Sequence, residues 1–197
     1  MMNRTRVAIL VGSKGRGSNM EALIRASLKT DRGWEVALVI SPVADNTASQ
    51  TAREMGVEVV VLGPKDQEYE AKLVGSLQEK MVDIICLAGL MTKLPVAVLQ
   101  AFPGRIINIH PSLLPKFGGK GMYGLHVHQA VLESGEAESG CTVHVVTEEY
   151  DDGPIVIQKK CPVEPGETVE SLATKVLSLE HEIFPLAVDI LAKRYAK

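Results

Sequence analysis

Five short runs of β-branched and aliphatic residues recur through the first 110 positions, and between them the apolar residues fall at helical spacing. Residues 6–11, 35–41, 57–62, 82–88 and the run that ends at His110 read as strands. Helices are expected from Ser18 and over 46–55, 66–80 and 95–102, with Gly56 and Pro95 as stop and start signals. Such alternation implies a parallel sheet with right-handed crossovers and helices on both faces. The expected class is therefore α/β, a Rossmann-like, mostly parallel, twisted sheet. Ligands of such sheets bind beyond the carboxyl ends of the strands.

After Pro115 the pattern changes. Residues 116–124 hold four glycines with Lys116 and Lys120 and read as a mobile, positively charged flap. A helix is expected over 125–133. Residues 139–146 alternate apolar positions with Thr142 and His144, and 154–163 return as an antiparallel partner. A long terminal helix starts near Glu167 and Thr168, with a bend expected at Pro185. With 197 residues, 46% of them hydrophobic, a single domain is expected. A net charge of -3 gives no general attraction to nucleic acid or anionic membrane. The N-terminal stretch from Met1 to Arg6 is basic, but the apolar run behind it is too short for a signal sequence, and no stretch is long enough to span a bilayer. Cys86, Cys141 and Cys161 lack metal-ligand spacing and read as buried thiols in a reducing compartment, the cytoplasm.

The stretch from Arg105 to Pro115 carries the first candidate chemistry. Asn108 and His110 lie two apart, so they share one face at the carboxyl end of a buried strand. An amide donor beside an imidazole that can carry a proton suits a carbonyl oxygen becoming an oxyanion. The alternative is that Asn108 only ends the strand and His110 only serves the turn. The second candidate is the glycine loop of residues 12–17 before the helix at Ser18, where Ser18 and Glu21 match a capping box. Free N–H groups and the helix dipole make an anion site there, reinforced by Lys14 and Arg16. Dinucleotide and P-loop signatures are absent, which favours a phosphate monoester, although any α/β protein needs a first turn of this kind. Met91 and Leu94 either line a slot for a flat ring or pack beneath the next helix. His126 and His128, at i and i+2 on a helix, do not face one another and make no metal pair, and His128 reads as a helix-surface or hydrogen-bonding residue. An acid of the turn 147–152 set against an imidazole would orient it and raise its pKa, while Glu180 and His181 read as a charged surface pair.

The run Asn108-Ile-His-Pro-Ser-Leu-Leu-Pro115 resembles the folate-dependent formyltransferases. So do Leu87-Ala-Gly-Leu-Met91 and Gly140-Cys-Thr-Val-His144, while Gly17-Ser-Asn19 and Glu180-His-Glu-Ile-Phe-Pro185 resemble the purine-synthesis branch in particular. The resemblance implies transfer of a formyl group from 10-formyltetrahydrofolate, as cosubstrate, to the amine of glycinamide ribonucleotide. It implies a catalytic trio of Asn108, protonated His110 and Asp151. Gly17, Ser18 and Asn19 would take the phosphate and Glu180 the ribose hydroxyls. Met91, Thr92, Lys93 and Leu94, with Thr147, Glu148, Glu149, Tyr150 and Asp151, would wrap the pterin. The phosphate-binding half would be residues 1–104 and the catalytic and folate half 105–197. No metal, nucleic acid or membrane is implied, and the chain would act as a monomer or weak homodimer. This chain departs from the usual pattern in a longer first loop, in Met91-Thr-Lys-Leu94 where an Arg-Ile pair is more usual, and in a longer segment 116–123. A formyltetrahydrofolate hydrolase or a methionyl-tRNA formyltransferase would share the trio but usually carries an extra domain. A nucleotide-sensing module is the non-enzymatic rival.

Overall fold

The computed structural model describes residues 4–29 and 31–195; residues 1–3 of the basic N-terminal stretch lie outside the described residues. The elements run β1 (Thr5–Val11), α1 (Ser18–Ser27), β2 (Trp34–Ser41), α2 (Thr47–Glu54), β3 (Val59–Val61), α3 (Tyr69–Glu79), β4 (Ile84–Ala88), α4 (Val96–Ala101) and β5 (Ile106–His110). They continue with α5 (Leu125–Glu133), β6 (Glu138–Val145), β7 (Ile155–Pro162) and α6 (Val169–Tyr195). The strands form one sheet in the order β3-β2-β1-β4-β5-β6-β7. β1 to β5 pair in parallel, whereas β5 with β6 and β6 with β7 pair antiparallel. The expected fold is present, with the appended hairpin and the long last helix.

Alternation along each strand sorts side chains into two cores. Val7, Ile9, Val11, Ile107 and Ile109 join a cluster with Met20 and Leu23 of α1 and Phe184 and Leu191 of α6. Ala8, Leu10, Ile85 and Ile106 join the opposite cluster with Leu73 and Leu77 of α3 and Val98 of α4. By the same alternation Asn108 and His110 share the face of Ile106. α4 spans only Val96–Ala101, so helical cover on that face is short. Strand order reverses between β1 and β4, which opens a crevice at their carboxyl ends. Gly12 closes its floor: a Cβ there would sit 2.2 Å from the Gly89 carbonyl oxygen, so the loops after β1 and β4 approach only because this residue has no side chain.

Several local expectations are corrected. The capping box at Ser18 does not form. Gly17, at φ 78°, is the N-cap without a side-chain bond, and Glu21 instead pairs with Arg25 2.7 Å away. α3 starts at Tyr69 rather than 66, because the Asp66 carboxylate accepts from Gly63 N–H at 2.6 Å and holds 63–66 as a turn. β3 is shorter than 57–62, since an edge strand extends only as far as its pairing with Val39 to Ser41 of β2. His128 is buried, not on the helix surface, and its Nδ1 has no hydrogen-bond partner among the described residues. Glu180 is buried too, because α6 packs against α1.

Candidate functional site

Antiparallel pairing of β5 with β6 sets Asn108 opposite His144 and His110 opposite Thr142. All four therefore project from one face at the carboxyl end of β5. Thr142 acts as an anchor: its hydroxyl donates to the Ser112 carbonyl at 2.6 Å and accepts from Leu114 N–H at 3.1 Å and from Gln158 Nε2 at 2.8 Å. These bonds fasten the segment after β5 to the hairpin.

Asp151 enters from the turn after β6, in a left-handed conformation at φ 55° that Asp tolerates better than most residues. Its Oδ1 lies 3.4 Å from His144 Nε2 and 3.6 Å from His110 Nδ1, while Oδ2 accepts from Gly119 N–H at 2.9 Å. The Asn108 Nδ2 lies 3.1 Å from His144 Nε2. An amide nitrogen carries two hydrogens, so one remains for a ligand. His110 Nε2 lies 2.8 Å from the Phe117 carbonyl, which can only accept; Nε2 therefore carries hydrogen, and Nδ1 is the nitrogen that gains or loses a proton.

The shared attraction moves the two partners differently. Burial pushes the Asp151 carboxyl up, but the His144 contact, the charge of His110 and the Gly119 N–H outweigh it and hold the carboxyl below its ordinary value. At His110 burial pulls the imidazole below 6.5, and Asp151 with the Phe117 carbonyl only partly offsets it. The expectation of a raised pKa is thus reversed: His110 is 4% exposed and its counter-charge sits beyond hydrogen-bond distance.

On the other side of the crevice, α1 begins at the first turn with no side-chain cap, which leaves its leading N–H groups facing the loop 12–17. The Ser18 hydroxyl is free of a capping role. Lys14 and Arg16 are exposed. Asn19 Nδ2 donates to Glu180 Oε2 at 2.6 Å, joining the start of α1 to α6, while Asn19 Oδ1 is buried without a partner among the described residues. Burial raises the Glu180 carboxyl to about 7, with the Asn19 bond opposing the shift.

Glu180 therefore couples stability to pH. The folded chain keeps this proton between the ordinary 4.5 and about 7, where the unfolded chain has released it. The neutral carboxyl's stabilisation is complete below that window and lost as pH rises through it, roughly 3 kcal/mol in all. Glu180→Gln keeps an acceptor for Asn19 and cannot ionise. Urea midpoints measured at pH 5 and pH 8 are expected to fall less in the variant than in the parent, and an equal fall would show that Glu180 does not titrate in this range.

The two stretches expected to wrap a ring system meet. Lys93 Nζ lies 4.9 Å from the Tyr150 ring centroid, so segment 91–94 reaches the turn 147–151. Leu94 is buried, while Met91, Thr92, Lys93, Thr147, Glu148, Glu149 and Tyr150 are at least partly exposed. The structure thus gathers Asn108, His110 and Asp151, and separately Asn19 and Glu180. Sequence reasoning missed His144 as a member of the first group, although its alternation with Thr142 marked a polar strand face. Among the described residues no group of three or more His, Cys, Asp or Glu side chains could hold a metal ion. Among them, too, no helix is long and apolar enough to cross a membrane.

This doubly wound α/β sheet carries an amide, two imidazoles and a carboxylate beyond its parallel strands, and residues 5–188 match the family described as formyl transferase. The chain belongs to that family. Within it, the chain is similar to phosphoribosylglycinamide formyltransferase from Brucella melitensis, whose crystal structure superposes with a TM-score of 0.87 at 42% identity, covering 96% of each chain. It is 39% identical to the chloroplastic phosphoribosylglycinamide formyltransferase of Arabidopsis thaliana, covering 98% of this chain and 68% of that protein. It is also 43% identical to the trifunctional purine biosynthetic protein adenosine-3 of Drosophila pseudoobscura pseudoobscura, over 96% of this chain but only 14% of that much longer protein.

Proposed function

We propose that this chain is a phosphoribosylglycinamide formyltransferase of purine synthesis, moving the formyl group of 10-formyltetrahydrofolate to the amine of glycinamide ribonucleotide. The observation that carries the reading is the convergence of Asn108, His110, His144 and Asp151 at the end of β5 and β6, in a member of the formyl transferase family. Residues 1–104 supply the phosphate turn and residues 105–197 the catalytic and folate-binding groups, in one domain. Gly17, Ser18 and Asn19 bind the phosphate through the open first turn of α1, and Glu180 meets the ribose hydroxyls. Met91, Thr92, Lys93 and Leu94 with Thr147, Glu148, Glu149, Tyr150 and Asp151 enclose the pterin. Three free, buried cysteines suit a reducing compartment such as the cytoplasm.

In this mechanism the neutral amine attacks the formyl carbon, held close by the two binding regions. The carbonyl oxygen becomes an oxyanion that accepts from the free Asn108 N–H and from Nδ1–H of His110. His110 takes this Nδ1 proton from solvent before the attack and keeps it through the transfer; burial disfavours that charge, and the negative charge developing beside it favours it. The new C–N bond leaves an ammonium whose proton must depart, and N10 of the folate must gain one as its bond to the formyl carbon breaks. Ionised Asp151, acting through water, takes the first proton and returns it to N10.

Tetrahydrofolate release from 10-formyltetrahydrofolate, measured with and without glycinamide ribonucleotide, tests the reading. Release is expected only with the ribonucleotide. Equal release without it would indicate a hydrolase, and none in either case a binding module.

A further inference from the structure

The glycine-rich segment 116–124 takes no part in the substrate contacts proposed above. We propose that its first turn, residues 117–119, is a backbone clamp that sets the position of His110 relative to Asp151, making Gly118 and Gly119 positioning residues for formyl transfer. The proposal rests on the function argued above.

One side of the clamp is the Phe117 carbonyl, which accepts from His110 Nε2 at 2.8 Å. Two residues on, the Gly119 N–H donates to Asp151 Oδ2 at 2.9 Å. The turn thus grips the imidazole by the nitrogen away from the acid, and the carboxylate by the oxygen away from the imidazole. The inner atoms, His110 Nδ1 and Asp151 Oδ1, are left facing one another across 3.6 Å. That separation is too long for a direct hydrogen bond, so the atoms do not set it themselves; the turn sets it.

The turn is itself anchored. Ser112 Oγ donates to the Lys116 carbonyl at 2.7 Å, and Gln158 Nε2 donates to the Leu114 carbonyl at 2.8 Å. Gly118 explains why the clamp closes so tightly. A Cβ there would lie 2.5 Å from Leu114 Cδ2 and 3.2 Å from Asp151 Cβ, and Leu114 is buried and cannot retreat freely. A methyl group at position 118 must therefore push the turn away from Asp151.

Gly118→Ala is the test, with Gly121→Ala as control. Gly121 lies in the same segment at φ 91°, so alanine strains the backbone there, but a Cβ on it would meet nothing within 4 Å and would not touch the acid. Steady-state kinetics are paired with nitrogen-15 NMR of histidine-labelled, substrate-free protein, in which His110 is assigned by the signal lost in His110→Gln. Gly118→Ala is expected to lower kcat about ten- to a hundredfold, with both KM values within about threefold, as a misplacement of an ångström or less would. It is also expected to lose the Nε2–H signature of His110, while Gly121→Ala keeps both kcat and signature. A Gly118→Ala protein with parental kcat and tautomer overturns the clamp, as does an equal loss in Gly121→Ala. Absence of formyl transfer in the parent would overturn the proposed function instead, and the NMR arm would still decide the clamp. If Gly118→Ala does not fold, an amide-to-ester replacement at Gly119 puts an ester oxygen in place of the N–H donor without adding a side chain; kcat is then expected to fall at least about fivefold, the loss of roughly one hydrogen bond, and unchanged kcat overturns the proposal.

Discussion

Asn108→Ala is expected to lower kcat by roughly a hundred- to a thousandfold, the loss that follows removal of one oxyanion donor from a preorganised site. The amide stands at the end of β5 with one hydrogen directed at His144 Nε2, 3.1 Å away, and the other available. It is only partly buried, so alanine opens no large cavity and the β5 ladder to β4 and β6 is retained. The ground-state carbonyl needs this donor much less than the oxyanion does, so KM for either substrate is expected to stay within about threefold. Asn108→Asp sharpens the comparison. It preserves shape but sets a second carboxylate near Asp151 and against the developing negative charge, and is expected to be slower than the alanine variant. Kinetics at saturating concentrations of both substrates decide the matter: a kcat within about threefold of the parent would remove Asn108 from the chemistry.

The parts of this arrangement that sequence reasoning reached are those written locally. Ile106, Ile107 and Ile109 mark a strand buried on both faces, and a period of two then puts Asn108 and His110 on one side whatever surrounds them. The long helix and hairpin are legible for the same reason. What remained hidden depends on partners distant in the chain. His144 joins the site because antiparallel register brings it opposite a residue 36 positions earlier, and no local pattern encodes that register. Glu180 resembles an exposed acid on a polar helix face until α6 is laid against α1, where Asn19 is its partner. Ser18 illustrates a local rule that lost to another local rule. Gly17 can adopt the left-handed conformation that starts the helix one residue earlier, and Glu21 finds Arg25 one turn on. The direction of the His110 shift was misjudged because it depends on two quantities absent from sequence, the depth of burial and the distance to Asp151.

Asp151→Asn is expected to reduce kcat by roughly a thousand- to ten-thousandfold, up to the loss that follows removal of a directly bonded carboxylate partner from a catalytic imidazole. Asparagine is the informative replacement because it too tolerates the left-handed backbone at this position, φ 55°, and its amide oxygen can still accept from Gly119 N–H at the 2.9 Å site. The fold and the turn are therefore kept while the charge is removed. With the oxygen held by Gly119, the amide NH2 turns toward His110 Nδ1 and His144 Nε2, donating where the carboxylate would have attracted a proton. The pH dependence then separates the roles. In the parent, Asp151 is held below its ordinary value and stays ionised from about pH 5 to about pH 8, so its own titration adds no pH dependence to kcat in that span. In the variant, His110 loses the strongest influence opposing its burial, and its pKa falls further. Residual turnover that needs the imidazolium must then rise as the assay pH is lowered from about 8 to about 5, the span in which an imidazole titrates. A variant whose small residual kcat is flat across that range would mean that Asp151 acts on the amine proton alone and not through His110.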